Sequence, residues 1–130
     1  MASILVVDDE ADVCCLLQAV LEAAGHRVVS TTDCREMPPL MRQQAFDLVI
    51  TDVVMPRRDG IDIVRELRRD FPAVGVIVMS GANLLRRELY LEAGKAVGAD
   101  ATFGKPFSKE EILAGITEAL KKASLRKLAN

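Results

Sequence analysis

Five short apolar runs, dominated by valine and isoleucine, recur along this chain, and each is separated from the next by a stretch with helical periodicity. The runs cover residues 4–7, 27–31, 47–51, 75–79 and 101–103. They are apolar continuously rather than at every second position, the pattern of strands covered on both faces. Between them, residues 12–24, 34–45, 61–70 and 84–97 read as helices. A last helix follows Ser108, where "SKEE" forms a capping box of Ser108 with Glu111. Its apolar face runs through Ile112, Ile116, Ala119, Leu120 and Ala123. A strand–helix alternation repeated five times in 130 residues predicts one domain, residues 1–130. The connections are too short and the chain too small for a barrel, so the expected fold is α/β: an open, doubly wound sheet of five parallel strands with helices on both faces.

The run "DLVITDVVMPRRDG", residues 47–60, then raises a question, because a carboxylate, Asp52, closes a strand built for the interior. Other strands end the same way: the first in Asp8 and Asp9, the fourth in Ser80 and the fifth in Lys105, leaving only the second without a functional polar group. In an open parallel sheet the carboxyl ends of the strands converge, and ligands bind in the crevice there. Asp52 is therefore expected at the mouth of the sheet. Three carboxylates brought together repel one another unless positive charge intervenes. Lys105 supplies one such charge, and a hard divalent cation with oxygen ligands, Mg²⁺ where phosphate is also handled, supplies the rest. A carboxylate beside a cation and an ammonium is a competent phosphoryl acceptor, and a hydroxyl at Ser80 can donate to a phosphoryl oxygen.

Taken in order, "VVDDE", "DLVITDVVMPRRDG", "VIVMSG" and "FGKPF" resemble the receiver domain of two-component response regulators over essentially the whole chain. The resemblance implies a flavodoxin-like sheet of strand order 2-1-3-4-5. It implies that Asp52 accepts a phosphoryl group from a phosphohistidine on a sensor histidine kinase or histidine phosphotransferase. Asp9, Asp52 and the backbone carbonyl of Val54 would ligate Mg²⁺ directly, and Asp8 through a water. Lys105 would pair with the phosphoryl group, its bond to Pro106 would be cis, and Ser80 would be the switch hydroxyl. Pro56 would end the third strand after Met55, and Asp59-Gly60 would set the turn into the next helix with Asp59 as its N-cap. The chain ends within a turn or two of the fifth helix, so the expected form is a stand-alone receiver. It would signal to a downstream protein target by phosphorylation-dependent binding or phosphate relay, with no enzymatic activity beyond self-catalysed phosphorylation and dephosphorylation of Asp52. The alternative is a receiver-like interaction module that is not phosphorylated. A phosphatase of the haloacid-dehalogenase type would want a second aspartate where Val54 stands.

Three positions depart from the family pattern. Thr102 stands where receivers commonly carry an aromatic residue that swings inward, and Phe103 points to the other face by strand alternation. Pro38-Pro39 interrupts the second helical stretch, predicting a short helix from Pro38 or Pro39 with residues 33–37 irregular. The span from Ser80 to Lys105 is a few residues longer than usual; the surplus either leaves Leu84 and Leu85 exposed at the helix start as a partner site or, the favoured reading, lengthens the helix with its apolar stripe on the sheet. Val54 and Ala82 flank the site and offer no side-chain hydrogen bond to a hydrolytic water, which predicts slow self-dephosphorylation.

Composition excludes several classes. With 17 basic and 19 acidic side chains the net charge is −2, so no nucleic-acid or membrane partner is implied. The opening "MASILVVDDE" lacks signal-peptide character, no apolar run approaches membrane-spanning length, and the cytoplasm is the expected compartment. Three cysteines and one histidine form neither a disulfide framework nor a recognisable metal site. The first helix, read as a stripe of Val13, Leu16, Leu17, Val20, Leu21 and Ala24, leaves Cys14 on the exposed face, open to slow oxidation. His26 reads as a structural turn residue, so a phosphodonor must be external. Leu125 and Leu128 carry the last helix past the core and fit a monomer or weak dimer.

Overall fold

The computed structural model describes residues 1–52, 54–55, 58–81 and 84–129. Five strands, β1 (Ser3–Val7), β2 (Arg27–Thr31), β3 (Leu48–Asp52), β4 (Gly75–Ser80) and β5 (Ala101–Gly104), form one parallel sheet in the order β2-β1-β3-β4-β5. The helices are α1 (Ala11–Ala23), α2 (Met37–Gln43), α3 (Gly60–Asp70), α4 (Leu84–Ala96) and α5 (Lys109–Ala129). This is the flavodoxin-like order that the sequence led us to expect. Between β3 and α3, Val54–Met55 pairs antiparallel with Arg58–Asp59.

Strand parity divides the core into two halves. Ile4, Val6, Leu48, Ile50, Ile77, Met79, Ala101 and Phe103 pack with α1 and α5, whereas Leu5, Val7, Val49, Val76 and Val78 pack with the α2 and α3 side. Both faces of the central strands are sealed, which is why their sequences show no polar alternation. Gly115 lets α5 lie directly on β5, since a methyl group there would overlap the Phe103 ring. The capping box of α5 is formed: Glu111 N donates to Ser108 Oγ (3.0 Å) and Ser108 N donates to Glu111 Oε1 (3.2 Å).

Two local expectations need correction. In α1 the buried residues are Cys14, Leu17 and Leu21, while Leu16 is 50% exposed. The helix is rolled so that Cys14 faces the sheet, and its thiol donates to the carbonyl of Asp8 (3.4 Å) with a longer contact to that of Thr31 (3.8 Å). Burial, then the Asp8 charge, pushes this thiol up to about 11, so it stays protonated and unreactive at neutral pH. The exposed cysteine is Cys15. Residues 33–37 are not irregular either. Cys34–Glu36 forms a 3₁₀ turn capped by Asp33, whose Oδ1 accepts from Arg35 N, and α2 follows with the two prolines in its first turn. Pro is tolerated there because first-turn N–H groups have no helical acceptor. His26 is structural as expected, its Nδ1 accepting from Ala2 N at 3.1 Å. The roles expected of Pro56 and Ala82 lie outside the described residues, as do the side chains of Asp59, Leu84 and Leu85.

At the amino edge of the sheet, Asp100 joins four elements. Its Oδ2 accepts from Val76 N (3.0 Å), from Arg68 at the end of α3 (2.7 Å) and from Arg126 near the end of α5 (2.9 Å), and Arg126 reaches Oδ1 at 2.6 Å. Both arginines also donate to the carbonyl of Val74, and Arg68 Nε to that of Gly98. The final turns of α5 are thus fastened to the sheet rather than projecting from it. Burial alone would raise the Asp100 carboxyl, but the hydrogen bonds from Arg126 and Val76 and the Arg68 charge outweigh it and hold the group below its ordinary value. An acid with a depressed native pKa stabilises the fold above its unfolded value, near 4, and loses that contribution as pH falls through the native one. Asp100→Asn is expected to lower stability by about 2 kcal/mol at neutral pH, less than a fully enclosed pair because Arg126 is partly open. Denaturant melts across pH should show the gap between wild type and variant closing below about pH 4.

Candidate functional site

The parity that seals the core also assembles a polar cluster. Asp8 continues the series Ile4, Val6; Asp52 continues Leu48, Ile50; Lys105 continues Ala101, Phe103. All three emerge on the α1/α5 side at the carboxyl edge of the sheet, and the pairing of Val7 with Thr51 sets Asp8 level with Asp52. Lys105 Nζ lies 2.7 Å from Asp52 Oδ2 and 2.8 Å from Asp8 Oδ2, with Glu10 Oε1 at 3.7 Å. The Asp52 contact is an aligned hydrogen bond. Asp8 Oδ2, in contrast, is buried and lacks an aligned donor, so the ammonium meets it through charge. Asp8 Oδ1 accepts from Glu10 N at 2.8 Å, which folds the residues after β1 back over the strand end.

Burial is tighter than a mouth-of-the-sheet position suggests: Asp8 is fully buried and Asp52 only 3% exposed. Desolvation raises the Asp8 carboxyl to about 6, although the nearby Lys105 and the Glu10 N–H oppose it. Burial on its own would lower the Lys105 ammonium, but Asp52, which accepts its hydrogen bond, and the adjacent Asp8 prevail and raise it. The Lys105–Pro106 bond is cis. The backbone N–H of Lys105 donates to the carbonyl of Ser80 (2.9 Å), tying the end of β5 to that of β4. Ser80 itself is fully buried, and by its place after Val76 and Val78 belongs to the opposite side of the sheet from Asp8 and Asp52. Gly81 lets the lysine stem pass, since a Cβ there would stand 3.0 Å from Lys105 Cδ. Thr102 is half-buried, and Phe103 packs in the α1/α5 core against Phe107 at 5.7 Å between ring centres.

Asp8, Asp9, Glu10 and Asp52 each offer an oxygen, and these oxygens lie within 4.8 Å of one another. One ammonium among four carboxylates leaves the cluster net negative, and one of its buried oxygens has no aligned donor. An all-oxygen, acidic set of this kind suits a hard cation such as Mg²⁺. Sequence reasoning finds Asp8, Asp9 and Asp52 but passes over Glu10, whose signal is its place directly after the acidic pair.

Comparison with known proteins decides the family. The model of the response regulator receiver domain matches residues 4–117. This chain belongs to that family. Its receiver sequence is 31% identical over 122 residues to the alkaline phosphatase synthesis transcriptional regulatory protein PhoP of Bacillus subtilis, covering 94% of this chain and 50% of that protein. The chain spans about half the length of the curated relatives it matches. Among solved structures, a response regulator receiver domain protein from Clostridium thermocellum superposes with a TM-score of 0.83 at 30% identity, covering 96% of this chain and 98% of that one. The chemotaxis response regulator CheY4 of Vibrio cholerae gives 0.80 at 28% identity, covering 92% and 98%. Receiver domains bind Mg²⁺ at an acidic pocket and are phosphorylated on aspartate; here Asp8, Asp9, Glu10 and Asp52 form an acidic cluster that could hold such an ion.

Crowded buried carboxylates store unfavourable energy that neutralising one of them releases. In metal-chelating buffer, Asp8→Asn is therefore expected to melt several degrees above wild type. Added Mg²⁺ should raise the wild-type midpoint and shift the variant less, because a ligand that binds only the native state stabilises in proportion to its affinity. Thermal melts of both proteins with and without the metal check this.

Proposed function

We propose that residues 1–130 act as one receiver unit in which Asp52 takes a phosphoryl group from a phosphohistidine on a partner histidine kinase or histidine phosphotransferase. The observation that carries this reading is the pairing of the buried Asp52 carboxylate with Lys105 Nζ at 2.7 Å, inside a cluster of further acids. An Asp52 oxygen attacks phosphorus, the N–P bond breaks, the imidazole leaves with its electron pair and takes up a proton, and an acyl phosphate forms. Lys105 is already held where it can follow the carboxylate oxygen onto the phosphoryl group, so little reorganisation is needed. Asp9, Asp52 and the Val54 carbonyl would hold Mg²⁺, with Asp8 acting through a water. Bound there, the ion supplies charge neutralisation for the phosphoryl oxygens. Ser80 is the hydroxyl that answers phosphorylation, and its backbone tie to Lys105 supports that role, because movement of one strand end is felt at the other.

Catalysis is limited to gain and loss of the phosphoryl group by the domain itself. Signalling then runs through phosphorylation-dependent binding to a downstream protein or through onward relay, with the domain a monomer or weak dimer in the cytoplasm. The reading requires no contact of this domain with nucleic acid, and no helix among the described residues is long and apolar enough to cross a membrane.

Incubation with acetyl phosphate and Mg²⁺ followed by intact-mass measurement is expected to give a single phosphate adduct. The adduct should be absent after chelation and absent in Asp52→Asn. Two residues beyond Asp52 and Ser80 the sequence carries Val54 and Ala82, neither with a side-chain hydrogen-bonding group, so the adduct should decay slowly in purified protein. An adduct that persists in Asp52→Asn would remove this residue from the acceptor role.

A further inference from the structure

At the end of the sheet opposite the acidic cluster lies a groove of about 540 Å³, inside the range of about 300–1,000 Å³ that ligand pockets occupy. It is bounded by the end of α2, the lead-in to β3, the connection from α3 to β4 and the last turns of α5. Met41 and Val74 are buried in its wall, Phe46 and Phe71 are half-buried, and Arg42 and Lys127 stand beside them at the rim. Phe46 and Phe71 pack one side against the α2/α3 core and leave the other side in the groove.

Bases outnumber acids around this groove. Helices α2, α3, α4 and α5 all finish on bases: Arg42, then Arg68 and Arg69, then Lys95, then Arg126 and Lys127. Bases suit helix carboxyl ends because they oppose the macrodipole. The acids nearby are occupied. Asp100 is held by Arg68 and Arg126, and Asp70 by Arg69 through both oxygens, so that it reaches Arg42 only through its field. Asp47 accepts from Ser3 N and stands 3.8 Å from Lys127, a long contact between two solvent-facing groups. Arg42 and Lys127 therefore retain charge for a partner.

We propose that this groove docks an acidic amphipathic segment of a partner protein, with an apolar anchor residue seated by Phe46 and Phe71 and carboxylates on Arg42 and Lys127. A second copy of the chain docked groove to groove is the wrong occupant, because it would bring bases against bases. An anionic membrane fits less well, since the apolar groups are recessed and call for a protruding anchor. The site is independent of phosphoryl chemistry, which occupies the other end of the molecule.

The test is titration of the isotopically labelled full chain with synthetic helical peptides of about 14 residues carrying leucine or phenylalanine anchors and glutamates. Saturable amide shifts are expected within residues 41–46, 71–74 and at Lys127. The same peptides with glutamine for glutamate should bind at least ~10-fold more weakly, as should Arg42→Glu with Lys127→Glu against the acidic peptides. Both residues sit at the solvent-facing rim, so their replacement leaves the fold intact. Absence of shifts at these residues up to ~1 mM peptide overturns the proposal, as does equal binding of the glutamine peptides. Shifts at the same residues with anionic vesicles alone, or with rising protein concentration alone, overturn it in favour of a membrane or a second copy.

Discussion

A single ammonium holds the carboxyl edge of this sheet together. Lys105 reaches Asp52 and Asp8 at ion-pair distance from a strand two places away from one and three from the other, and without it two buried carboxylates would face each other across a strand boundary. Everything around the lysine serves its reach. Gly81 clears its stem, and the Ser80 carbonyl accepts from its backbone N–H. One positive charge does not balance the acids, and the cluster is left net negative.

How that cluster forms is a matter of strand geometry. A period of two means that three sequence-distant residues share a side of the sheet when each lies an even number of positions from an inward-facing core residue, and Asp8, Asp52 and Lys105 do so relative to Val6, Ile50 and Phe103. Ser80 has the opposite parity. Ser80 and Asp52 thus belong to different faces of the same layer, and the Lys105 N–H to Ser80 carbonyl bond links β4 to β5.

The strands and the clustering of Asp8, Asp9 and Asp52 were legible because a continuous apolar run that ends in a carboxylate fits little besides a buried strand opening onto a crevice, whereas the strand order came from the resemblance to receiver domains. Less was legible where one helix had to be rolled about its axis. Cys14 and Leu16 compete for the sheet side of α1, and leucine is the more apolar, yet the thiol wins because it can donate to the carbonyls of Asp8 and Thr31 at the strand ends. Glu10 was readable as a neighbour of the acidic pair, though its approach to Lys105 depends on the turn made by Asp8 Oδ1. Arg68, Asp100 and Arg126 were illegible. Each reads locally as a solvated charge near an element's end, and only the folded topology brings them into contact. The extension of α5, which looked surplus to the core, is secured by that contact.

The same topology sorts charge along the molecule. Every helix runs back from the carboxyl edge, so acids collect in first turns, at Asp12, Asp62, Glu110 and Glu111, around a pocket that is itself acidic, while bases collect at the far end. These side-chain charges oppose the helix macrodipoles, so each end of α3 and α5 is met by charge of the opposite sign. With a net charge of only −2, what a partner meets is the local pattern at whichever end it approaches, over roughly the ~10 Å at which dilute salt still transmits a field.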